Sequence, residues 1–184
     1  MAVPLFIAAR IVDGPSTALR AAAALLSYAP WLVANLQLDQ PLLARIGAPA
    51  SWDNVVYGGR GLGYVDAMHQ SLRAVPSATV LTAYHALPAS DRAALLGADP
   101  APWATRVLDE LAPAHPDIHR RVRRIELMRW GHAMAIPAPG VHRHPALMAL
   151  RAQRGRLRFA HGDLAGCSVF EEAFTAGCEV AGGG

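Results

Sequence analysis

The closing segment, residues 155–184, constrains the fold more than any other part of the sequence. Arg156-Leu-Arg-Phe-Ala160 reads as a strand, His161-Gly162-Asp163 as a tight turn, Gly166 as a second bend, and Ser168 to Ala181 as a helix. A strand that turns directly into a helix leaves free N–H groups and the positive end of the helix dipole facing the strand's carboxyl end, which suits anionic and hydroxyl groups. Gly162 permits close backbone approach, and Asp163 offers a carboxylate to a hydroxyl. The same residues have a plainer reading, in which Ser168 is an N-cap and Asp163 a turn residue.

The rest of the chain bounds the company this unit can keep. With 184 residues, 53% hydrophobic and 17% charged, there is enough apolar surface for a core and little sign of disorder. Cys167 and Cys178 are too few for a disulfide framework or a four-cysteine zinc site, so a reducing, cytoplasmic setting is expected. All seventeen cationic residues are arginine, in keeping with a chain also rich in Ala, Gly and Pro. The run Arg120, Arg121, Arg123, Arg124 has neither lysines nor an RNA-binding aromatic motif beside it, which favours a solvated face over a nucleic-acid site. Pro4 and the lack of a cationic start argue against a signal peptide. The apolar stretch Ala21 to Leu38 is broken by Ser27, Pro30, Asn35 and Gln37 and is expected in a core, not a membrane.

Periodicity and punctuation predict an α+β chain. Helices are expected over Ala18–Tyr28, ended by Pro30, then from Ser90 to near Gly97, over Trp103–Leu111 and over Pro145–Ala152. Strands are expected at Trp31–Leu38, Val55–Tyr57, Thr79–Tyr84 and Arg123–Trp130, with Gly58-Gly-Arg-Gly-Leu-Gly63 linking two of them. Gly182-Gly-Gly184 reads as a frayed end.

At the level of motifs, Phe159-Ala-His-Gly-Asp-Leu-Ala-Gly-Cys-Ser-Val-Phe-Glu-Glu-Ala-Phe174 resembles the C-terminal flavin-binding signature of the FAD-dependent amine-oxidase-like oxidoreductases, the group of monoamine oxidases, protoporphyrinogen oxidase and phytoene desaturase. Tyr28-Ala-Pro-Trp-Leu-Val-Ala-Asn35, Trp52-Asp-Asn-Val55, Leu62-Gly-Tyr-Val65 with His69-Gln70, Val80-Leu-Thr-Ala-Tyr84, and Arg129-Trp-Gly-His-Ala-Met134 with Pro139-Gly140 are similar, in the same order, to one bacterial branch of it. The resemblance implies a mixed-sheet substrate domain over residues 1–154 and the terminal strand-turn-helix of an FAD-binding domain over 155–184. It further implies that Gly162 and Asp163 meet the ribityl chain of FAD, and that Ser168, Val169 and Phe170 bring the first turn of the last helix to the flavin's pyrimidine edge. Trp130 and His132 become candidates for the substrate pocket, where the plainer alternatives are core packing for Trp130 and a structural histidine for His132. Glu171-Glu172-Ala173 stands where many amine oxidases have Glu-Gly-Ala.

The other half of that family's pattern is missing. Members open with a strand, a Gly-x-Gly-x-x-Gly turn and a helix that hold the ADP portion of FAD. The Gly58–Gly63 cluster fails that fingerprint in every register, because Arg60, Tyr64 or Asp66 falls where a glycine is required. The N-terminal Rossmann part is therefore expected from elsewhere. The chain is expected to be the C-terminal part of a flavin-dependent oxidoreductase that takes hydride from a small amine-like or polyene-like substrate, completed by an N-terminal FAD-binding polypeptide. Two rivals remain: a non-catalytic binding or assembly module or decayed fragment, and a metal-dependent hydrolase using His132, His142, His144, His161 and Asp163. The second lacks a His-Glu-x-x-His helix. A Cys167 nucleophile has only its helix-terminal position in its favour.

Overall fold

A computed structural model describes every residue except 45, 50, 74, 76, 183 and 184, so the last two residues of the glycine tail lie outside the described residues. The elements in order are α1 (Leu5–Ile11), α2 (Thr17–Leu25), β1 (Tyr28–Leu38), β2 (Asp53–Asn54), β3 (Gly63–Asp66), β4 (Thr79–Ala86), α3 (Arg92–Gly97), α4 (Pro100–Leu111), α5 (Ile118–Arg121), β5 (Val122–Ala135), α6 (Pro145–Ala152) and α7 (Phe170–Gly182). Internal contacts divide the chain into one unit of residues 1–29 with 132–184 and another of residues 30–131. The boundary at 154, drawn by functional resemblance, falls inside the first.

The second unit is built on a five-stranded sheet in the order β2-β3-β4-β1-β5. Strict alternation along β1 sends Leu32, Ala34, Leu36 and Leu38 to one face, and antiparallel register sets Leu36 opposite Leu81 and Ala34 opposite Ala83. Helix α4 covers that face with Trp103, Val107 and Leu111, spaced four apart on one helical stripe, and α3 adds Leu95. Each fully buried side chain of this kind contributes about 1.5–3 kcal/mol. Asp99 starts α4 by accepting the Ala101 N–H at 3.0 Å, and Pro100 fills the first-turn position where no amide is needed.

Two expectations fail in this unit. The sheet is antiparallel, not mixed, because β2 to β3 and β3 to β4 return by loops without the crossover helix a parallel pair requires. Val55–Tyr57 is not a strand: β2 ends at Asn54, and the glycine cluster spans the turn from β2 to β3. Gly63 closes it with φ +123°, and a Cβ there would lie 2.1 Å from the Asn54 carbonyl oxygen, so only glycine fits.

The first unit is helical. Leu5 and Ala8 of α1, Leu19 and Ala22 of α2, and Leu147 and Leu150 of α6 share one core with Phe159 and Leu164. Ser16 Oγ caps α2 by accepting the Leu19 N–H, and the His144 ring caps α6 by accepting from Ala146 N. No helix is expected from the sequence at Leu5–Ile11, and α2 is expected to run on to Tyr28. The helix instead stops at Leu25, and Pro30 lies inside β1, near its start. The expected strand Arg156–Ala160 is extended chain outside the sheet. Among the described residues its ladder partner is Met1, whose amine donates to Arg158 O and whose carbonyl accepts from Ala160 N. One residue of pairing does not make a strand. The last helix begins at Phe170, not at Ser168.

Candidate functional site

The turn before α7 is held by its acidic residue. Asp163 is fully buried, and its Oδ2 accepts the Leu5 N–H at 2.8 Å and the Tyr28 hydroxyl at 2.5 Å. Oδ1 has no hydrogen-bond partner among the described residues and lies 3.3 Å from His161 Nδ1. The same nitrogen lies 3.1 Å from the Asp163 amide nitrogen, and only its protonated form favours the carboxylate. Burial works against ionisation of Asp163, but the His161 ring, the Tyr28 hydroxyl and the Leu5 amide outweigh it and hold the carboxyl below the usual range. Burial first, and the Asp163 carboxylate second, push the Tyr28 hydroxyl well above its ordinary value.

Gly162 sits in a tight place, and glycine is required at Gly166. A Cβ on Gly162 would meet Cys167 O at 3.1 Å, and Gly166, at φ +75°, faces Val141 Cγ1 at 2.5 Å from such a Cβ. Ser168 Oγ accepts the Ala135 N–H at 2.8 Å, tying the end of β5 to the turn instead of capping α7. Val169 and Phe170 then open α7 in an exposed position. Phe170, 75% exposed, stacks on Phe174, 61% exposed, with centroids 5.8 Å apart. No side chain of α7 is fully buried. Glu172 and Glu179 of the same helix line a cavity of about 510 Å³ with Arg151, Arg154 and Arg158.

The two pocket candidates on β5 have different surroundings. His132 lies against Phe6, at 5.0 Å between ring centroids, and Tyr28, at 6.1 Å. Through Tyr28 it joins the group around Asp163. Trp130 belongs to the other unit and is 56% exposed, on the sheet face away from Ile125 and Leu127. The structure thus brings together Gly162, Asp163, Ser168 and His132, and adds Leu5, Phe6 and Tyr28, which sequence reading did not assign. Tyr28 could have been found, since it opens one of the segments that carry the family resemblance. Leu5 could not, because its contribution is a backbone amide. Among the described residues no three His, Cys, Asp or Glu side chains gather in a way that could hold a metal ion.

The glycine cluster has a structural occupation. Glu110 on α4 accepts from Gly61 N, and its Oε2 accepts from His85 Nε2 at 2.8 Å. A Cβ on Gly61 would lie 2.9 Å from that ring nitrogen. The loop is packed against a buried imidazole, which leaves no cradle for phosphates.

The chain has the fold of part of three solved oxidases. The chain superposes over its whole length on cyclohexylamine oxidase from Brevibacterium oxydans IH-35A, with a TM-score of 0.74 at 15% identity, and covers 41% of that enzyme. It matches a putrescine oxidase double mutant over 98% of its length, with a TM-score of 0.63 at 16% identity, and covers 42% of it. An Exiguobacterium sp. 255-15 protein assigned as a protoporphyrinogen oxidase matches over 98% of the chain, with a TM-score of 0.63 at 15% identity and 39% of its own length covered. The chain therefore spans about two fifths of the solved structures it resembles. No protein-family model matches the sequence, and no curated protein aligns with it significantly.

Proposed function

We propose that this chain is the C-terminal part of a flavin-dependent oxidoreductase, completed by a polypeptide that carries the dinucleotide-binding half. The observation that supports it most is the agreement between coverage and exposure. The chain fills two fifths of each oxidase, and the helix that the resemblance assigns to the cofactor, α7, is the one that leaves its aromatic residues uncovered. FAD fits the residues present. Asp163 Oδ1 is a buried acceptor without a hydrogen-bond partner, and an ionised carboxylate suits a ribityl hydroxyl.

In this reading Gly162 brings the backbone close to the cofactor, Asp163 holds a hydroxyl, and Ser168 fixes the turn so that Val169 and Phe170 present the first turn of α7 to the pyrimidine edge. When bound, FAD supplies a two-electron acceptor for hydride from a small amine-like or polyene-like substrate. Tyr28 and Phe6 lie against the ring of His132, which is proposed to line the substrate pocket.

The test is spectroscopic. The purified chain is expected to be colourless with FAD alone and to gain a flavin absorption band at about 450 nm only with an N-terminal FAD-binding polypeptide. A stoichiometric band in the isolated chain would remove the need for a partner. A complemented, yellow complex whose flavin affinity is unchanged by Asp163→Asn would remove the role of Asp163.

A further inference from the structure

The cavity of about 510 Å³ lies wholly within the unit of residues 1–29 with 132–184, lined by α7 and by α6 with the turn after it. Helix α7 faces it with Glu172, Thr175, Ala176, Glu179 and Val180, whose three- and four-residue spacing puts them on one side of the helix. Phe170 and Phe174 fall on the other side and are exposed. The helix thus turns carboxylates toward its own unit and aromatic rings away from it, the reverse of an ordinary amphipathic surface helix. The flavin reading uses Val169 and Phe170 and assigns nothing to the cavity side.

The remaining wall brings the opposite charge. Arg151 is held by backbone carbonyls: its Nε donates to Leu164 O at 2.8 Å and its Nη2 to His142 O at 3.0 Å. Its Nη1 keeps both N–H groups, since no hydrogen bond among the described residues uses them. Arg154 donates from Nη1 to Arg151 O at 3.2 Å and to Gln153 O at 3.3 Å, which leaves Nε and Nη2. Arg158 lines the cavity as well and has a partner of its own. Among the described residues, the side chains of Glu172 and Glu179 form neither a hydrogen bond nor an ion pair, although arginines line the same space. The cavity keeps the two signs beyond ion-pair reach of each other. Arg151 and Glu172 are half-buried, where charge is screened less than on an open surface. Phe159 and Leu164, both buried, add apolar surface to the lining.

A simple anion here would meet two carboxylates, a simple cation would meet the guanidinium groups, and an apolar molecule would desolvate both. The geometry points to a binding site for a small zwitterion, with a carboxylate at one end for Arg151 and Arg154 and an ammonium group at the other for Glu172 and Glu179. The volume falls within the ~300–1,000 Å³ of small-molecule sites. Because the Leu164 and His142 carbonyls already orient Arg151, binding has less side-chain freedom to remove. This goes beyond the oxidoreductase reading and does not depend on it.

The experiment titrates the full 184-residue chain by calorimetry with three probes of one chain length: 6-aminohexanoate, hexanoate and hexylamine. The expected result is saturable binding of one 6-aminohexanoate per chain, with hexanoate and hexylamine each at least about ten-fold weaker. Arg154→Gln should weaken 6-aminohexanoate about three-fold and leave hexylamine no weaker. Glu172→Gln combined with Glu179→Gln should bring 6-aminohexanoate down to the level of hexanoate. Thr175→Trp, which fills the cavity from the middle of the α7 face, should abolish binding; circular dichroism checks that each variant is folded. The proposal is overturned if the folded chain shows no saturable 6-aminohexanoate binding, if either singly charged probe binds as tightly, or if the charge variants leave the affinity unchanged.

Discussion

Asp163 and Glu110 are both carboxylates held below the usual range by hydrogen bonds that outweigh burial, yet they do different work in the two units. Asp163 ties together residues 158 and 135 positions away, the N–H of Leu5 and the hydroxyl of Tyr28, in a fully buried place. Glu110 reaches only as far as Gly61 and His85 and keeps one side near solvent. The first is a knot that closes the ends of the chain on each other. The second is a pin that sets one loop on a sheet already formed. A buried carboxylate that closes the chain should cost more to remove than one that trims a loop.

The largest expected effect is therefore Asp163→Ala, which strands a buried amide and a buried hydroxyl. Urea denaturation of the 184-residue chain should show a loss of about 3–5 kcal/mol. If it loses less than Glu110→Ala, the contrast between knot and pin is wrong. Next comes Gly63→Ala, where the new Cβ would press on the Asn54 carbonyl at a positive φ. A loss of about 2–4 kcal/mol is expected, read in the same denaturation assay. Glu110→Ala should follow at about 1–3 kcal/mol and should speed proteolysis within residues 58–63, whereas Asp163→Ala should loosen the N-terminal residues.

The smallest effect is a difference in pH dependence. Because both folded carboxyls titrate below their unfolded values of about 4, their contribution is present above that pH and is lost as pH falls through the folded values. Tyr28 runs the other way. Its folded value is raised, so its contribution is full below the unfolded value of about 10 and is lost as pH rises beyond it. Tyr28→Phe should lower stability by about 1–2 kcal/mol at neutral pH and flatten the alkaline fall, leaving the acid limb. Thermal melts from pH 3 to about 11 would separate the two limbs.

Much of the fold was legible where a single element carries its own signal. The alternation from Trp31 to Leu38, the proline and aspartate that open α4, and the four-residue spacing of Trp103, Val107 and Leu111 all predict what they form. Legibility failed where an element depends on a neighbour far away in sequence. Arg156–Ala160 has strand composition but no strand beside it among the described residues, and Val55–Tyr57 is β-rich but lies in a turn whose end Gly63 sets. The candidate site divides the same way. Gly162 and Asp163 were marked by their types and spacing and Phe170 by the family resemblance, whereas the amide of Leu5 and the ring of Phe6 carry no sign in the sequence of what they will meet.

The sequence by itself determined the elements that carry their own signal, such as β1 and α4, and the family the chain resembles, because propensity, capping and hydrophobic period are local. It also determined that the glycine cluster is no dinucleotide fingerprint, since spacing alone excludes it. Only the tertiary structure decided that Asp163 holds the two ends of the chain together, that Ser168 serves β5 instead of capping α7, and that Phe170 and Phe174 are left uncovered. The reason is that a buried polar group is defined by its partners, and partners more than a hundred residues apart are brought together by packing, which no local pattern records.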